Sequence, residues 1–247
     1  MKNTKYTAFK NPLIVALDTD SAESALSLAK SLSPFAGGFK VGLQLYTSAG
    51  PAAVRLIAEQ APVFADLKLH DIPNTVAAAA AALVRWGASM INVHAAGGSE
   101  MMRAAACAAR EEAGKKNLPE PVLLAVTVLT SIDREIFNRE VGLPGEIVEK
   151  AVAWACLAKE AGLDGVVASP REVSAIREAC GRDFVIVTPG IRPHHRVQDD
   201  QKRTATPRQA MELGSDFLVV GRPITSAPDP VRAAVAIREE IISFCRQ

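Results

Sequence analysis

The chain has 247 residues, of which 49% are hydrophobic and 22% charged, a composition typical of a soluble globular protein with a substantial core. Its 28 basic and 27 acidic residues give a net charge of +1, so the sequence offers no electrostatic footprint for nucleic acid or for an acidic membrane surface. The four cysteines lie far apart and form no Cys-x-x-Cys or Cys/His cluster, which argues against a zinc site and favours reduced thiols.

The start of the chain does not resemble a targeting segment. Residues 1–10 are polar and basic, and no apolar segment of the kind found in a signal peptide follows them. No apolar run approaches the roughly 18 residues that a membrane-spanning helix needs. The sequence therefore predicts a cytoplasmic protein that does not contact a membrane.

Eight short runs along the chain are almost continuously apolar, as expected of parallel strands that are covered on both faces. These runs are Leu13–Leu17, Gly38–Val41, Val63–Leu67, Met90–Val93, Val122–Val126, Gly165–Ala168, Phe184–Val187 and Asp216–Val220.

Between these runs lie stretches whose apolar residues have helical spacing. Ser21 and Thr206 precede two of them and are favourable N-cap residues, while Gly87 and Gly162 follow two others, where helices often end. The stretches are Ala22–Leu32, Pro51–Gln60, Asn74–Trp86, Ser99–Ala113, Gly145–Ala161, Arg171–Ala179, Pro207–Leu213 and Pro230–Phe244.

Alternating strands and helices predict an α/β protein with a parallel sheet, and eight such units in about 250 residues are the usual size of a (β/α)8 TIM barrel. No linker or change of composition divides the chain, so we assign residues 1–247 to a single barrel domain, with residues 1–11 as an N-terminal lead-in. The alternative is an open doubly wound sheet. The Gly-x-Gly-x-x-Gly turn of a dinucleotide-binding fold does not follow the first strand, where Asp18-Thr19-Asp20-Ser21 stands instead.

The third predicted strand ends in three charged residues, Asp66, Lys68 and Asp71. Alternate residues of a strand share a face, so Asp66 and Lys68 should point the same way, while Asp71 lies in the loop before Pro73. Unpaired charges are costly to bury, whereas carboxylates beside a lysine favour its ammonium form. The three residues predict a proton donor beside concentrated negative charge. The alternative is an ion pair that only caps the end of the strand.

In a (β/α)8 barrel the functional site lies at the carboxyl ends of the strands, and further polar residues fall there. They are Asp18, Lys40, His94, Thr127, Thr130, Ser169, Thr188, Pro189, Arg192, Gly221 and Arg222. We expect His94 to support neighbouring groups rather than to catalyse.

The loops after the last two strands predict a phosphate site. Backbone N–H groups near Gly221 and the guanidinium of Arg222 could bind an anion, and such barrels commonly bind phosphate at loops seven and eight. The alternative for Gly221-Arg222-Pro223 is a turn with a solvated arginine. The polar segment from about Gly190 to Thr204 is typical of a mobile loop that covers a ligand, or of a disordered connector.

Taken together, these segments resemble the orotidine 5'-monophosphate decarboxylase family. The similarity runs from Leu13-Ile14-Val15-Ala16-Leu17-Asp18 to Val219-Val220-Gly221-Arg222-Pro223-Ile224-Thr225, and its most specific part is Asp66-x-Lys68-x-x-Asp71-Ile-Pro-Asn-Thr75. Three further segments are similar to family motifs: Thr127-Val-Leu-Thr130-Ser131, Pro189-Gly-Ile-Arg192-Pro193 and Asp200-Gln201-x-Arg203. Leu69 stands where the family commonly has an aromatic residue, and related sugar-phosphate decarboxylases share the bare Asp-x-Lys-x-x-Asp pattern.

The resemblance implies a carboxy-lyase that converts orotidine 5'-monophosphate (OMP) into UMP and CO₂, the last step of de novo UMP synthesis, with no metal or organic cofactor. Lys68 would donate the proton to C6 of the pyrimidine, and Asp66 would face the departing carboxylate. Lys40 would join this charged network and contact the ribose, and Asp18 would bind the ribose hydroxyls.

The resemblance also implies a homodimer with shared active sites, in which Asp71, with Thr75, serves the neighbouring subunit. Thr130, or Ser131, would contact the base. The phosphate would be held by Gln201, Gly221 and Arg222, helped by Arg192, with loop seven closing over it, and Ile72 and Pro189 would be further substrate-binding residues. Two other functions remain open at this point: a Mg²⁺-dependent sugar-phosphate decarboxylase or aldolase, and a non-catalytic barrel that senses a phosphorylated nucleotide.

Overall fold

The computed structural model of the chain describes residues 8–193 and 203–245. Eight parallel strands form a closed barrel in which each strand pairs with its neighbours in the chain and β8 pairs with β1. The strands are β1 (Leu13–Ala16), β2 (Gly38–Gly42), β3 (Val63–Leu69), β4 (Ala88–His94), β5 (Val122–Val126), β6 (Gly165–Val167), β7 (Val185–Thr188) and β8 (Phe217–Val220). The predicted (β/α)8 barrel is therefore confirmed, and the open doubly wound sheet is ruled out.

Helices connect the strands and surround the barrel. They are α1 (Ala22–Leu32), α2 (Leu43–Ala49), α3 (Ala52–Ala58), α4 (Pro73–Arg85), α5 (Gly98–Lys115), α6 (Ile147–Glu160), α7 (Val173–Cys180), α8 (Pro207–Glu212), α9 (Arg222–Thr225) and α10 (Pro230–Cys245). A 3₁₀ turn covers Ala95–Gly97, and a π-helical turn covers Ile136–Glu140.

Two of the predicted helix starts carry the expected caps. The Ser21 side chain accepts a hydrogen bond from the backbone N–H of Ser24, and Thr206 and Gln209 form a reciprocal capping box at the start of α8. Helices α2 and α9 were not predicted. In α2 only Leu45 is buried, so its sequence has no apolar stripe, and α9 is a single turn.

Two apolar layers make up the core. Ile14, Phe64, Met90 and Leu124 belong to the layer that fills the barrel, and a second, larger cluster packs the outer faces of the strands against the helices. Phe9, from the lead-in, joins the inner layer and packs edge-on against Phe217 with the ring centroids 5.4 Å apart. Phe9 thus helps to fill the N-terminal end of the barrel, opposite the predicted site.

Charged residues at the N-terminal end of the barrel bind the backbone. Asp164 and Asp216 stand directly before β6 and β8, and each accepts the N–H of a residue in the preceding strand at 2.9 and 2.8 Å. Arg110 pairs with Asp164, and Arg177 pairs with Asp216. These pairs join neighbouring strands at the end of the barrel away from the cavity described below. Within the two described ranges, no helix is both long and apolar enough to cross a membrane.

Candidate active site

A cavity of about 550 Å³ lies at the carboxyl ends of the strands. Eleven of the polar and loop residues singled out in the sequence line it: Asp18, Lys40, Asp66, Lys68, Thr130, Ser131, Ser169, Pro189, Arg192, Gly221 and Arg222. They come from β2 and β3 and from the segments after β1, β5, β6, β7 and β8. The barrel thus brings residues that are far apart in the sequence to one pocket, and its volume suits a small organic ligand.

Four of these residues form a row of alternating charges across the floor of the cavity. The ammonium of Lys68 lies 2.8 Å from Oδ1 of Asp66, and that of Lys40 lies 3.4 Å from Oδ2 of Asp66 and 2.9 Å from Oδ1 of Asp18. Asp66 and Lys40 are buried, with exposed fractions of 8% and 9%. Asp66 and Lys68 therefore share a side, as predicted, and each buried charge has an opposite charge beside it.

The neighbours of Asp66 and Lys40 decide their protonation. Burial by itself raises the pKa of Asp66, but the ammonium groups of Lys40 and Lys68 and hydrogen bonds from Lys68 and Asn92 outweigh it, so the pKa lies below its ordinary value. Burial lowers the pKa of Lys40, but Asp66 and Asp18 raise it above its ordinary value. At neutral pH the cavity therefore holds a buried carboxylate and a buried ammonium.

The backbone of β3 is irregular at Lys68. Ala65 pairs with Ile91 and Leu69 pairs with Val93, so residues 66–68 stand opposite the single residue Asn92 of β4. Lys68 has a φ of 51°, a left-handed conformation that is uncommon for any residue other than glycine. Such strained positions are often found at functional sites.

Asn92 was not recognised in the sequence. It is fully buried; its Nδ2 donates to Oδ1 of Asp66 at 2.6 Å, and its Oδ1 accepts from the backbone N–H of Lys68 at 2.8 Å. The available signal was one amide side chain in the middle of an otherwise apolar strand, which must find polar partners if it is buried.

Gly42 is a second residue that was not recognised. A Cβ atom at this position would lie 2.6 Å from Nζ of Lys40 and 3.1 Å from Oδ1 of Asp18. The missing side chain therefore leaves room for the Lys40–Asp18 ion pair. Nothing in the local sequence indicates this, because the contact depends on the path of the Lys40 side chain.

The loop after β5 is held in place by Arg203, which belongs to one of the segments similar to family motifs. Its guanidinium pairs with Glu172 and donates to the carbonyl oxygens of Val128 and Leu129 at 3.0 and 2.8 Å. Glu172 in turn accepts the backbone N–H of Ser169 at 3.0 Å. Burial raises the pKa of Glu172 and lowers that of Arg203 despite their pairing. The buried pair joins the chain after β7 to the loops after β5 and β6.

Some predicted site residues do not line the cavity. Asp71, Ile72 and Thr75 are exposed beyond the end of β3, with Ile72 67% exposed and the Asp71 carboxylate accepting the N–H of Ile72 at 2.6 Å. His94 accepts the N–H of Ala96 and stacks on His70 with the ring centroids 5.3 Å apart. Gln201 lies outside the described residues.

Fold and site together define the class of this protein: a closed (β/α)8 barrel with a charged cavity at the carboxyl ends of its strands. Comparison with known proteins identifies the family. The model of the orotidine 5'-phosphate decarboxylase / HUMPS family matches residues 11–237, and the chain belongs to this family.

Named relatives and a solved structure agree with the family match. An orotidine 5'-phosphate decarboxylase of Moorella thermoacetica is 60% identical over 233 residues, which is 94% of this chain and 92% of the relative. One of Syntrophomonas wolfei is 52% identical and covers 93% of this chain and 97% of its own length. The crystal structure of the orotidine 5'-phosphate decarboxylase of Lactobacillus acidophilus superposes with a TM-score of 0.80 at 40% identity, covering 94% of this chain and 99% of that chain.

The buried Arg203–Glu172 pair yields a stability prediction. Glu172→Ala leaves the Arg203 guanidinium buried beside no carboxylate, so we expect the free energy of unfolding to fall by about 3–5 kcal/mol. Glu135→Ala, which removes the exposed 2.8 Å pair with Arg139, is the control and should cost less than about 0.5 kcal/mol. Urea unfolding followed by circular dichroism measures both losses. Equal losses would show that the buried pair does not stabilise these loops.

Proposed function

We propose that this chain is an orotidine 5'-phosphate decarboxylase, which converts OMP into UMP and CO₂ in pyrimidine biosynthesis. The observation that carries the proposal is the row of alternating charges Asp18, Lys40, Asp66 and Lys68 on the floor of the cavity. The names of the family and of the relatives from Moorella thermoacetica and Syntrophomonas wolfei support the same activity.

The chemistry of the reaction requires what the floor of the cavity offers. Loss of CO₂ from C6 of the pyrimidine leaves a carbanion that no adjacent carbonyl group stabilises, so a fixed cation and a prompt proton are needed. The ammonium of Lys68, held 2.8 Å from Asp66, supplies both. Asp66 is charged and buried, so a substrate carboxylate placed beside it is repelled, and this repulsion is relieved as CO₂ departs.

The other cavity residues bind the parts of the substrate that do not react. In the proposal Lys40 and Asp18 contact the ribose, and Thr130 or Ser131 contacts the base. The phosphate is held by Gln201, Gly221 and Arg222 with help from Arg192, and Pro189 is a further substrate contact. Phosphate binding far from C6 then contributes binding energy to the chemical step as loop seven closes. An isolated bridge between Ile191 and Ala205 joins the described residues on either side of this loop.

The proposal includes a homodimer in which Asp71, Ile72 and Thr75 complete the neighbouring subunit's site. Its support is their place beyond the end of β3: they are exposed and adjoin the strand that carries Asp66 and Lys68, and Ile72 is a large apolar side chain left 67% exposed.

Lys68→Ala is the direct test of the proposed role of Lys68. Because the variant loses both the fixed cation and the proton donor, we expect OMP turnover to fall by about 10⁴-fold or more, with the circular dichroism spectrum unchanged. Lys30→Ala, on an exposed position of α1, is the control and should retain full turnover. The decrease in OMP absorbance measures the rate. Turnover by Lys68→Ala close to that of the unaltered chain would contradict the assignment.

The same assay separates the proposal from a Mg²⁺-dependent sugar-phosphate decarboxylase or aldolase, the alternative that the bare Asp66-x-Lys68-x-x-Asp71 pattern leaves open. The proposed reaction needs no metal, so OMP turnover should be equal with and without EDTA. Activity that requires Mg²⁺, together with indifference to OMP, would favour the sugar-phosphate enzyme. Tight UMP binding without any turnover would instead favour a nucleotide sensor.

Mixing inactive variants tests the shared site. Asp71→Ala and Lys68→Ala subunits should form hybrid dimers with one intact site, which in a random mixture restores roughly a quarter of the full activity. Asp66→Asn mixed with Lys68→Ala is the matched control and should recover nothing, because both residues belong to the same subunit's site. If subunit exchange is verified and the first mixture also recovers nothing, Asp71 does not act across an interface.

Gly42→Ala tests the placement of Lys40. The added Cβ would lie 2.6 Å from Nζ of Lys40, so the ammonium must move, and we expect kcat/KM for OMP to fall by about 10- to 100-fold with little loss of stability. Gly114→Ala, where a Cβ meets nothing within 4 Å, is the control and should leave kcat/KM unchanged. Equal values for the two variants would show that the position of Lys40 does not limit the reaction.

A further inference from the structure

Asn92 is an uncharged polar side chain that contacts two members of the charged floor, Asp66 and Lys68. It lies on β4, between Ile91 and Val93, and is fully buried. Its two amide atoms serve two different catalytic candidates: Nδ2 donates to Oδ1 of Asp66 at 2.6 Å, and Oδ1 accepts from the backbone N–H of Lys68 at 2.8 Å. The reversed amide would set oxygen against carboxylate and NH₂ against N–H, so these partners fix its orientation.

The backbone contact holds the irregular part of β3. Residues 66–68 stand opposite Asn92 alone, and Lys68 has the left-handed φ of 51°. A regular ladder would satisfy the N–H of Lys68 from the neighbouring strand, whereas here the side chain of Asn92 does so. The amide therefore fixes the backbone conformation of Lys68. That conformation sets the direction in which the Lys68 side chain leaves the strand toward Asp66.

The carboxylate contact bears on proton transfer. Oδ1 of Asp66 accepts from both Lys68 and Asn92, while Oδ2 faces Lys40. When Lys68 gives up its proton, Oδ1 loses a charged donor but keeps the hydrogen bond from Asn92, which does not titrate. A hydrogen bond to a carboxylate favours its ionised form, so Asp66 keeps its charge through the proton transfer.

We propose that Asn92 is a positioning residue of the reaction, an inference that rests on the proposed decarboxylase function. Its amide holds the strained backbone of Lys68 and the carboxylate of Asp66 in place, so that Asp66 stays ionised beside the ammonium that delivers its proton to C6. The charged groups around Asp66 are Lys68 on its own strand, Lys40 on β2 and Asp18 after β1. His94, two residues further along β4, stacks on His70.

Asn92→Asp is the sharpest test, because it preserves shape and the acceptor for Lys68 but replaces the donor to Asp66 with an oxygen. We expect kcat for OMP to fall about 10- to 100-fold with KM within threefold of the unaltered value. Two adjacent carboxylates resist joint ionisation, so the acidic limb of the kcat/KM profile should move up by at least one pH unit. UMP should still raise the melting temperature, since Asn92 does not line the cavity.

Asn138→Asp is the matched control. Asn138 donates through Nδ2 to two oxygens, the carbonyls of Leu143 and Gly145 at 2.6 and 3.0 Å, so its partners are backbone groups and not catalytic candidates. This variant loses equivalent hydrogen bonds and should leave the pH profile in place. If Asn92→Asp behaves like Asn138→Asp while the unaltered chain decarboxylates OMP, the positioning role is wrong and the proposed function stands. If the unaltered chain does not decarboxylate OMP, the proposed function itself fails.

Asn92→Ser covers the case in which Asn92→Asp does not fold. Its shorter hydroxyl can serve one of the two partners but adds no carboxylate. We expect kcat at least tenfold below the unaltered value, KM within threefold and no movement of the acidic limb. An unchanged kcat for Asn92→Ser would overturn the proposal.

Discussion

The carboxylate of Asp66 is the group on which the rest of the site depends. Burying an isolated carboxylate costs several kcal/mol, and here Lys68, Lys40 and Asn92 offset that cost by placing two ammonium groups and an amide donor around its two oxygens. These partners come from β2, β3 and β4. The charge of Asp66 therefore joins three neighbouring strands near their carboxyl ends, where the hydrogen-bonded strands end and the cavity begins.

The barrel uses its charged residues differently at its two ends. At the N-terminal end, Asp164 and Asp216 accept hydrogen bonds from strand N–H groups and pair with arginines, so these charged residues join neighbouring strands. At the carboxyl end, the charged groups pair mainly with one another and border open volume. Stability and the proposed chemistry are thus placed at opposite ends of one core, as is general for this fold.

The sequence was sufficient for the barrel and for the shared face of Asp66 and Lys68, because both follow from local patterns, whereas the place of Lys40 in the row of charges followed only from the resemblance to the family. Apolar runs located the eight strands, and the two-residue period of β3 placed Asp66 and Lys68 on one face. Asn92 and Gly42 could not be found this way, since each matters through a contact with another strand or with a long side chain. The pairing of Arg203 with Glu172 spans 31 residues and likewise leaves no local pattern.

The irregular stretch of β3 explains why the period of the strand predicts the face but not the geometry of the site. In a regular strand, residues two apart stand about 6.6 Å from one another with parallel side chains. The three residues opposite Asn92 and the left-handed φ of Lys68 break this arrangement, at a backbone cost of about 1–3 kcal/mol. The hydrogen bond from the Lys68 N–H to Asn92 offsets part of that cost. The direction in which Lys68 leaves the strand is therefore set by its backbone and by Asn92, and its flexible side chain only completes the approach to Asp66.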